Sequence, residues 1–246
     1  MSEALLAPTG PSQARAPVVV AQKLARRHAG RWALRGVDLE LEPGRALMIV
    51  GPNGSGKTTL IRLLGTALAP TSGSLRLFGG PAEAARPRVA MLSHADNHYD
   101  DLSARENLLV SARLAASSVG RRFANTPGPD IEAVLATVGL SARADDVVRT
   151  FSAGMRKRLA FARLLWKRAD LVLLDEPYAG LDPAGGRLVD TLVHDLRATG
   201  TTVVLSTHQI ARGASLCDDA VLLEAGRVKW RGKAADAPRY AGESQE

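Results

Sequence analysis

Gly51-Pro52-Asn53-Gly54-Ser55-Gly56-Lys57-Thr58 is the stretch that decides the fold of this 246-residue chain. It reads glycine, four residues, then Gly-Lys-Thr. Before it runs Ala46–Val50, an apolar stretch that ends abruptly at glycine and proline, as a buried strand of a parallel sheet does. After it, Lys57–Ala67 carries Leu60, Ile61, Leu63 and Leu64 at helical spacing. Strand, glycine-rich loop and helix in that order form the context in which this pattern cradles phosphates. Glycines at 51, 54 and 56 open dihedral angles closed to other residues, so backbone N–H groups can turn inward around an anion. The helix that follows points its positive end at the same phosphates. Lys57 is expected to bridge the β- and γ-phosphates of a nucleotide and the Thr58 hydroxyl to ligate Mg²⁺. Pro52, Asn53, Ser55 and Thr59 belong to the same nucleotide-binding set.

Outward from this loop the pattern repeats. Short apolar runs recur at Leu75–Phe78, Val89–Leu92, Leu171–Leu174, Thr202–Leu205 and Ala220–Leu223, and the last three are separated by helical patterns at Ala184–Thr199 and Gln209–Leu216. Strands alternating with helices imply α/β layers around a mostly parallel sheet. Val18–Ala21 and Val37–Leu41 read as antiparallel edge strands. Val221–Glu224 and Val228–Trp230 read as a hairpin turning at Ala225-Gly226. From about 101 to 168 no buried strand is visible, and this span is expected to be a helical subdomain inserted into the core. The domain is expected over 18–236, after a disordered lead-in at 1–17 and before a flexible tail at 237–246.

Leu171-Val-Leu-Leu-Asp175-Glu176-Pro177 delivers two acids at the end of an apolar strand. Ligands of open parallel sheets bind beyond the carboxyl ends of the strands. Asp175 is therefore expected to hold the metal, and Glu176 to polarise the attacking water as general base. With the phosphate loop upstream, the chain reads as a P-loop NTPase using a nucleoside triphosphate and Mg²⁺.

Composition narrows the setting. Hydrophobic residues make up 46% of the chain, enough for a sizeable core, but aromatics only 4%, so Leu, Val and Ala must build it. The 32 Lys and Arg outnumber the 25 Asp and Glu, giving a net charge of +7. The basic residues are scattered, which speaks for a solvated surface and not for a nucleic-acid stripe. One cysteine, Cys217, excludes a disulfide framework within the chain. No apolar run approaches the roughly 20 residues that span a bilayer, so a membrane role would come through a partner. Met1–Pro17 lacks the basic and apolar regions of a signal peptide.

Phe151-Ser-Ala-Gly-Met155, followed by Arg-Lys-Arg-Leu-Ala-Phe-Ala-Arg163, resembles the signature of the ABC ATPases, usually Leu-Ser-Gly-Gly-Gln before a basic helix. It ends shortly before the acidic strand, as in that family. Ala179-Gly-Leu-Asp182 resembles the D-loop and His208 the switch histidine. The resemblance covers Val18 to Trp230 and implies the ABC ATPase fold. It implies further that Ser152 and Gly154 contact the γ-phosphate of ATP bound to a second copy. Asp182 would cross that dimer interface, and His208 would hold Glu176 and the water in place. The chain departs from the family pattern with Ala153 for glycine and Met155 for glutamine. His94 falls where a Mg²⁺-sensing glutamine is usual. His28, or alternatively Trp32, falls where an aromatic stacks on adenine.

The resemblance implies a homodimer on the cytoplasmic face of the cell membrane, docked on a separate permease subunit. His94–Leu108 looks like the segment that meets the permease. Ser-Ala-Gly-Met-Arg-Lys-Arg-Leu and Tyr99-Asp-Asp-Leu are similar to haem-exporter subunits of cytochrome c maturation, and also to drug- and polysaccharide-export ATPases. The basic pI of about 10.1 keeps a rival open, a soluble ABC ATPase acting on nucleic acid or ribosomes. No specific nucleic acid is expected, because the chain has one cassette and no long insertion.

Overall fold

The computed structural model describes residues 16–93, 98–118 and 130–237. In chain order the strands and helices are β1 (Val19–His28), β2 (Arg31–Leu41), β3 (Ala46–Val50), α1 (Lys57–Leu64), β4 (Ser72–Leu77), β5 (Gly80–Pro81) and β6 (Val89–Leu92). They continue with α2 (Ala104–Ser118), α3 (Ile131–Thr137), α4 (Ala153–Trp166), β7 (Leu171–Asp175), α5 (Pro183–Ala198), β8 (Thr202–Ser206), α6 (Ile210–Leu216), β9 (Asp219–Glu224) and β10 (Arg227–Lys233).

Six strands form one sheet in the order β10-β9-β3-β8-β7-β6, parallel throughout except for the β9–β10 hairpin. In β3, β7 and β8 every residue is buried. That explains their unbroken apolar sequence: the pleat still alternates, but both faces are covered. Met48 and Val50 pack with Val172, Leu174 and the helices α4 and α5 on one side, whereas Leu47 and Ile49 pack with Leu60, Leu63 and Leu173 on the other. Strand β3 thus sits between two cores, and the loop leaving its C-terminal end is held from both.

The antiparallel edge is larger than the sequence indicates. β1 and β2 run to ten and eleven residues and form a separate four-stranded sheet, β2-β1-β4-β5. Leu75–Phe78 belongs to this sheet and not to the parallel one. Only one face of it meets the core, so Arg26, Arg27, Arg31 and Trp32 lie along continuing strand. Their polar character hides the strand from a reading that follows apolar runs. Ala29 and Gly30 turn the hairpin with φ of 45° and 81°, the backbone of a type I′ turn. Ala225 and Gly226 repeat that geometry at the β9–β10 turn, with φ of 45° and 78°.

Between β6 and β7 the described residues contain helices and short helical turns, with one isolated bridge, Ser103 to Val147. Helix α2 begins in a reciprocal cap. The Ser103 N–H donates to Glu106 Oε2 at 2.7 Å and the Glu106 N–H to Ser103 Oγ at 3.2 Å. The spacing Ser-x-x-Glu is the sequence form of that capping box.

Cys217 ends α6 and is buried against the larger core, which pushes its thiol up to about 12. A thiol held neutral reacts slowly. Folded protein at mildly alkaline pH should therefore label with Ellman's reagent only as fast as it opens, and denatured protein at once. Prompt labelling of the folded chain would contradict this burial.

Candidate functional site

The phosphate loop is fixed by close backbone approaches. Gly51, with φ of 146°, lies where a Cβ would come within 2.1 Å of the Leu223 carbonyl oxygen in β9. Gly56, with φ of 110°, would place one 2.6 Å from the Ala33 carbonyl in β2. Neither position can hold another residue without moving main chain. Gly56 is also the N-cap of α1, whose first helical residue is Lys57. The buried Lys57 ammonium donates to the Gly51 carbonyl at 2.8 Å and the Pro52 carbonyl at 3.2 Å, closing the loop across its base. Thr58 is exposed, Thr59 half-buried and Ser55 buried, while Pro52, Asn53 and Gly54 form the exposed crest.

The carboxylates stand at the end of β7. Asp175 is buried, and one of its oxygens accepts the Ser206 hydroxyl at 2.7 Å. Ser206, at the end of the neighbouring β8, also accepts the Glu176 N–H on its hydroxyl at 3.0 Å and on its carbonyl at 3.2 Å. These bonds hold Glu176 in the left-handed region, at φ 47°, a strained backbone for a residue other than glycine. The strain aims its carboxylate at two side-chain nitrogens. Lys57 Nζ lies 3.9 Å from Oε1, and His208 Nδ1 lies 2.9 Å from Oε2. His208 itself is exposed, carried on the loop after β8, whose Thr207 is fully buried and donates its N–H to the Ile49 carbonyl.

Four expected nucleotide contacts, Ser152, Gly154, Asp182 and His28, lie elsewhere on the surface. Ser152 is the exposed N-cap of α4 and accepts the Met155 N–H at 3.3 Å. Ala153 begins that helix with ordinary φ and is absent from the left-handed positions, so alanine carries no backbone penalty there. A Cβ on Gly154 would meet nothing closer than Ser152 Oγ at 4.0 Å, leaving the helix N-terminus open to an approaching anion. Asp182 caps α5 by accepting the Gly185 N–H at 2.7 Å. His28 lies exposed at the tip of the β1–β2 hairpin. Trp32, half-exposed at 41% and with the Arg27 guanidinium 5.8 Å from its ring, adjoins Ala33, whose carbonyl borders Gly56. Trp32 is thus the aromatic that β2 brings next to the loop. His94 lies outside the described residues.

Two supports escaped the sequence reading. Ser206 orients both acids, and only its place at the end of a strand beside theirs could have signalled it. Gly226 donates its N–H to the Ser55 carbonyl and accepts the Arg35 N–H. A Cβ on it would stand 2.8 Å from the Ala33 carbonyl. The β9–β10 turn is therefore wedged between the phosphate loop and β2.

Thr58 and Asp175 offer hard oxygen donors of the kind Mg²⁺ prefers. Among the described residues no three His, Cys, Asp or Glu side chains converge into a metal cage. Mg²⁺ does not need one, since it is held by one or two carboxylates with phosphates and waters.

Residues 34–179 match the family model described as ABC transporter. This span contains the phosphate loop, the signature region and both acids. The chain belongs to the ABC transporter family. This ABC ATP-binding subunit is 34% identical over 233 residues to the Nod factor export ATP-binding protein I of Ralstonia nicotianae, covering 92% of this chain and 70% of that one. It is 40% identical over 209 residues to the cytochrome c biogenesis ATP-binding export protein CcmA of Cupriavidus necator, covering 83% of this chain and 88% of that one. Among solved structures, an ATP-binding subunit of an ABC transporter superposes with a TM-score of 0.78 at 24% identity, covering 92% of this chain and 93% of that one. An ATP-binding cassette solved as a dimer with ADP and Pi gives 0.76 at 23% identity, covering 88% and 98%. The ABC subunit is thus an ATPase, with ATP as its substrate.

Replacing Ser206 with alanine should lower stability by about 1–3 kcal/mol, because it leaves buried polar partners unpaired. It should also slow ATP turnover more than it weakens ATP binding, as paired denaturation and kinetic measurements would reveal. Gly226→Ala should cost at least about 1 kcal/mol from its left-handed φ alone. It should also weaken ATP binding, since the turn supports the phosphate loop. Calorimetry of nucleotide binding checks the second effect, and unchanged affinity would refute it.

Proposed function

We propose that this ABC subunit hydrolyses Mg²⁺-ATP in a closed dimer of two copies and so drives export through a separate membrane permease. The observation that carries the chemistry is the Glu176 carboxylate, strained toward Lys57 and His208 beside the buried Asp175. In this reading Lys57 releases its loop carbonyls to take the β- and γ-phosphates, while backbone N–H groups of Gly54 and Gly56 cradle them. Thr58 and Asp175 would hold Mg²⁺, which would supply positive charge against the charge developing on the phosphates. Glu176 accepts a proton from the attacking water, and His208 fixes the carboxylate and contacts the γ-phosphate. Ser152 and Gly154 of the second copy close the site at the N-terminus of α4, and Asp182 crosses the interface. Water is positioned only when the two halves meet, so hydrolysis is tied to closure. The adenine stacks on Trp32 or His28.

Export is supported by relatives of two kinds named as export ATP-binding proteins. The 88% coverage of the cytochrome c biogenesis relative favours that pathway, with haem as cargo. Among the described residues no helix is long and apolar enough to cross a membrane; in this reading the permease is another chain and the subunit sits at the cytoplasmic membrane face.

Glu176→Gln should reduce hydrolysis about a hundredfold or more while trapping an ATP-bound dimer, and Lys57→Ala should abolish nucleotide binding. Rapid turnover by Glu176→Gln would end the general-base assignment. Mild-detergent capture of the trapped protein with ATP should recover an integral membrane protein. Recovery of ribosomes or nucleic acid instead would transfer the motor to the rival class.

A further inference from the structure

Outside the nucleotide site, a second polar cluster joins the segments that carry Glu176, Asp182 and His208. Tyr178 lies two residues after Glu176 and is buried, and its hydroxyl donates to Asp190 Oδ1 at 2.9 Å. Asp190 lies on α5, which Asp182 caps. Arg212 lies on α6, four residues after His208. Its Nε donates to both Asp190 oxygens, at 2.9 and 3.1 Å, and its Nη2 to Oδ2 at 2.6 Å. The same guanidinium stacks over the Tyr178 ring at 4.5 Å. Burial and the bond to Asp190 push the Tyr178 hydroxyl far up, so it stays a neutral donor. The bond to Asp190 likewise raises the Arg212 guanidinium.

Helix α5 is shaped to admit this cation. Gly185 and Gly186 stand side by side in its first turns, both buried, although each glycine weakens a helix relative to alanine. A Cβ on Gly186 would come within 2.7 Å of Arg212 Nη1 and 2.8 Å of Nη2. The missing side chain is the space the guanidinium occupies. A planar fork gripping one carboxylate and lying flat on a ring fixes position and angle together.

We infer that Tyr178, Asp190 and Arg212 form a positioning clamp that locks α6, and with it His208, against the strand end carrying Glu176. The inference rests on the proposed role of Glu176 in hydrolysis. The clamp touches neither nucleotide nor reacting water. It acts by holding the His208–Glu176 distance when the site closes, and so contributes to turnover and not to ATP binding.

The test measures steady-state ATP hydrolysis and ATP affinity for the full chain carrying Tyr178→Phe, Asp190→Asn or Asp190→Glu, beside Glu176→Gln. Tyr178→Phe, a near-isosteric change, and Asp190→Asn should each lower kcat about tenfold with KM for ATP nearly unchanged, since each removes a bond to a charged group. Asp190→Glu should restore much of the loss. Clamp variants that turn over at the parental rate while Glu176→Gln is inactive would overturn the clamp alone. A fall in thermal stability with kcat intact would reduce it to a packing staple and also refute it. Parental turnover by Glu176→Gln would instead remove the base assignment, a separate failure.

Discussion

Three backbones meet at the phosphate loop with no room for a side chain. Gly51 abuts the Leu223 carbonyl of β9, Gly56 abuts the Ala33 carbonyl of β2, and Gly226 is wedged between Ala33 and Ser55. The rest of the site depends on this contact. It sets the end of β3, the start of α1 and hence the place of Lys57, against which Glu176 and its strand are then registered. Because β3 is buried on both faces, the loop is anchored in two cores at once, and its N–H groups are held in place before any anion arrives. Pre-set donors of that kind need no reorganisation during reaction.

The second tier of the site is held by strand pairing. Asp175 and Ser206 face each other in the β7–β8 register, so a single hydroxyl can serve a buried carboxylate and the N–H of the strained Glu176. His208 follows two residues later on the same loop. Register thus converts a two-residue spacing on one chain segment into a hydrogen-bonded pair across two strands. The helices α5 and α6 carry Asp182 and Arg212 from this same edge, so the surfaces proposed to meet a second copy are mechanically continuous with the acids.

Much of this was legible in residue order alone. The strand Ala46–Val50 and the loop after it announced themselves because buried parallel strands are apolar without interruption and glycine and lysine spacing around a phosphate is narrow. The acids at the end of Leu171–Asp175 were recognisable for the same reason, whereas the signature before a basic helix and His208 after Thr202–Ser206 were recognisable by their resemblance to the ABC ATPases. The antiparallel sheet was only half legible: its exposed arginines and Trp32 interrupt the apolar pattern although the backbone continues as strand. The Ser103–Glu106 cap is written in the sequence as Ser-x-x-Glu.

What the sequence determined by itself, then, is the chemistry it carries: a phosphate loop, paired acids and a helix-capping serine at fixed spacings, each dictated by local backbone geometry. Tertiary structure alone decided who holds whom. Ser206 is an ordinary strand serine until β7 lies beside β8. Gly226 is an ordinary turn glycine until β2 closes over it, and Tyr178, Asp190 and Arg212 are unrelated residues until α5 and α6 pack. These partners lie 12 to 193 residues apart along the chain. Only folding makes them neighbours, and no local spacing rule can encode an interaction whose distance is set by the packing of whole layers.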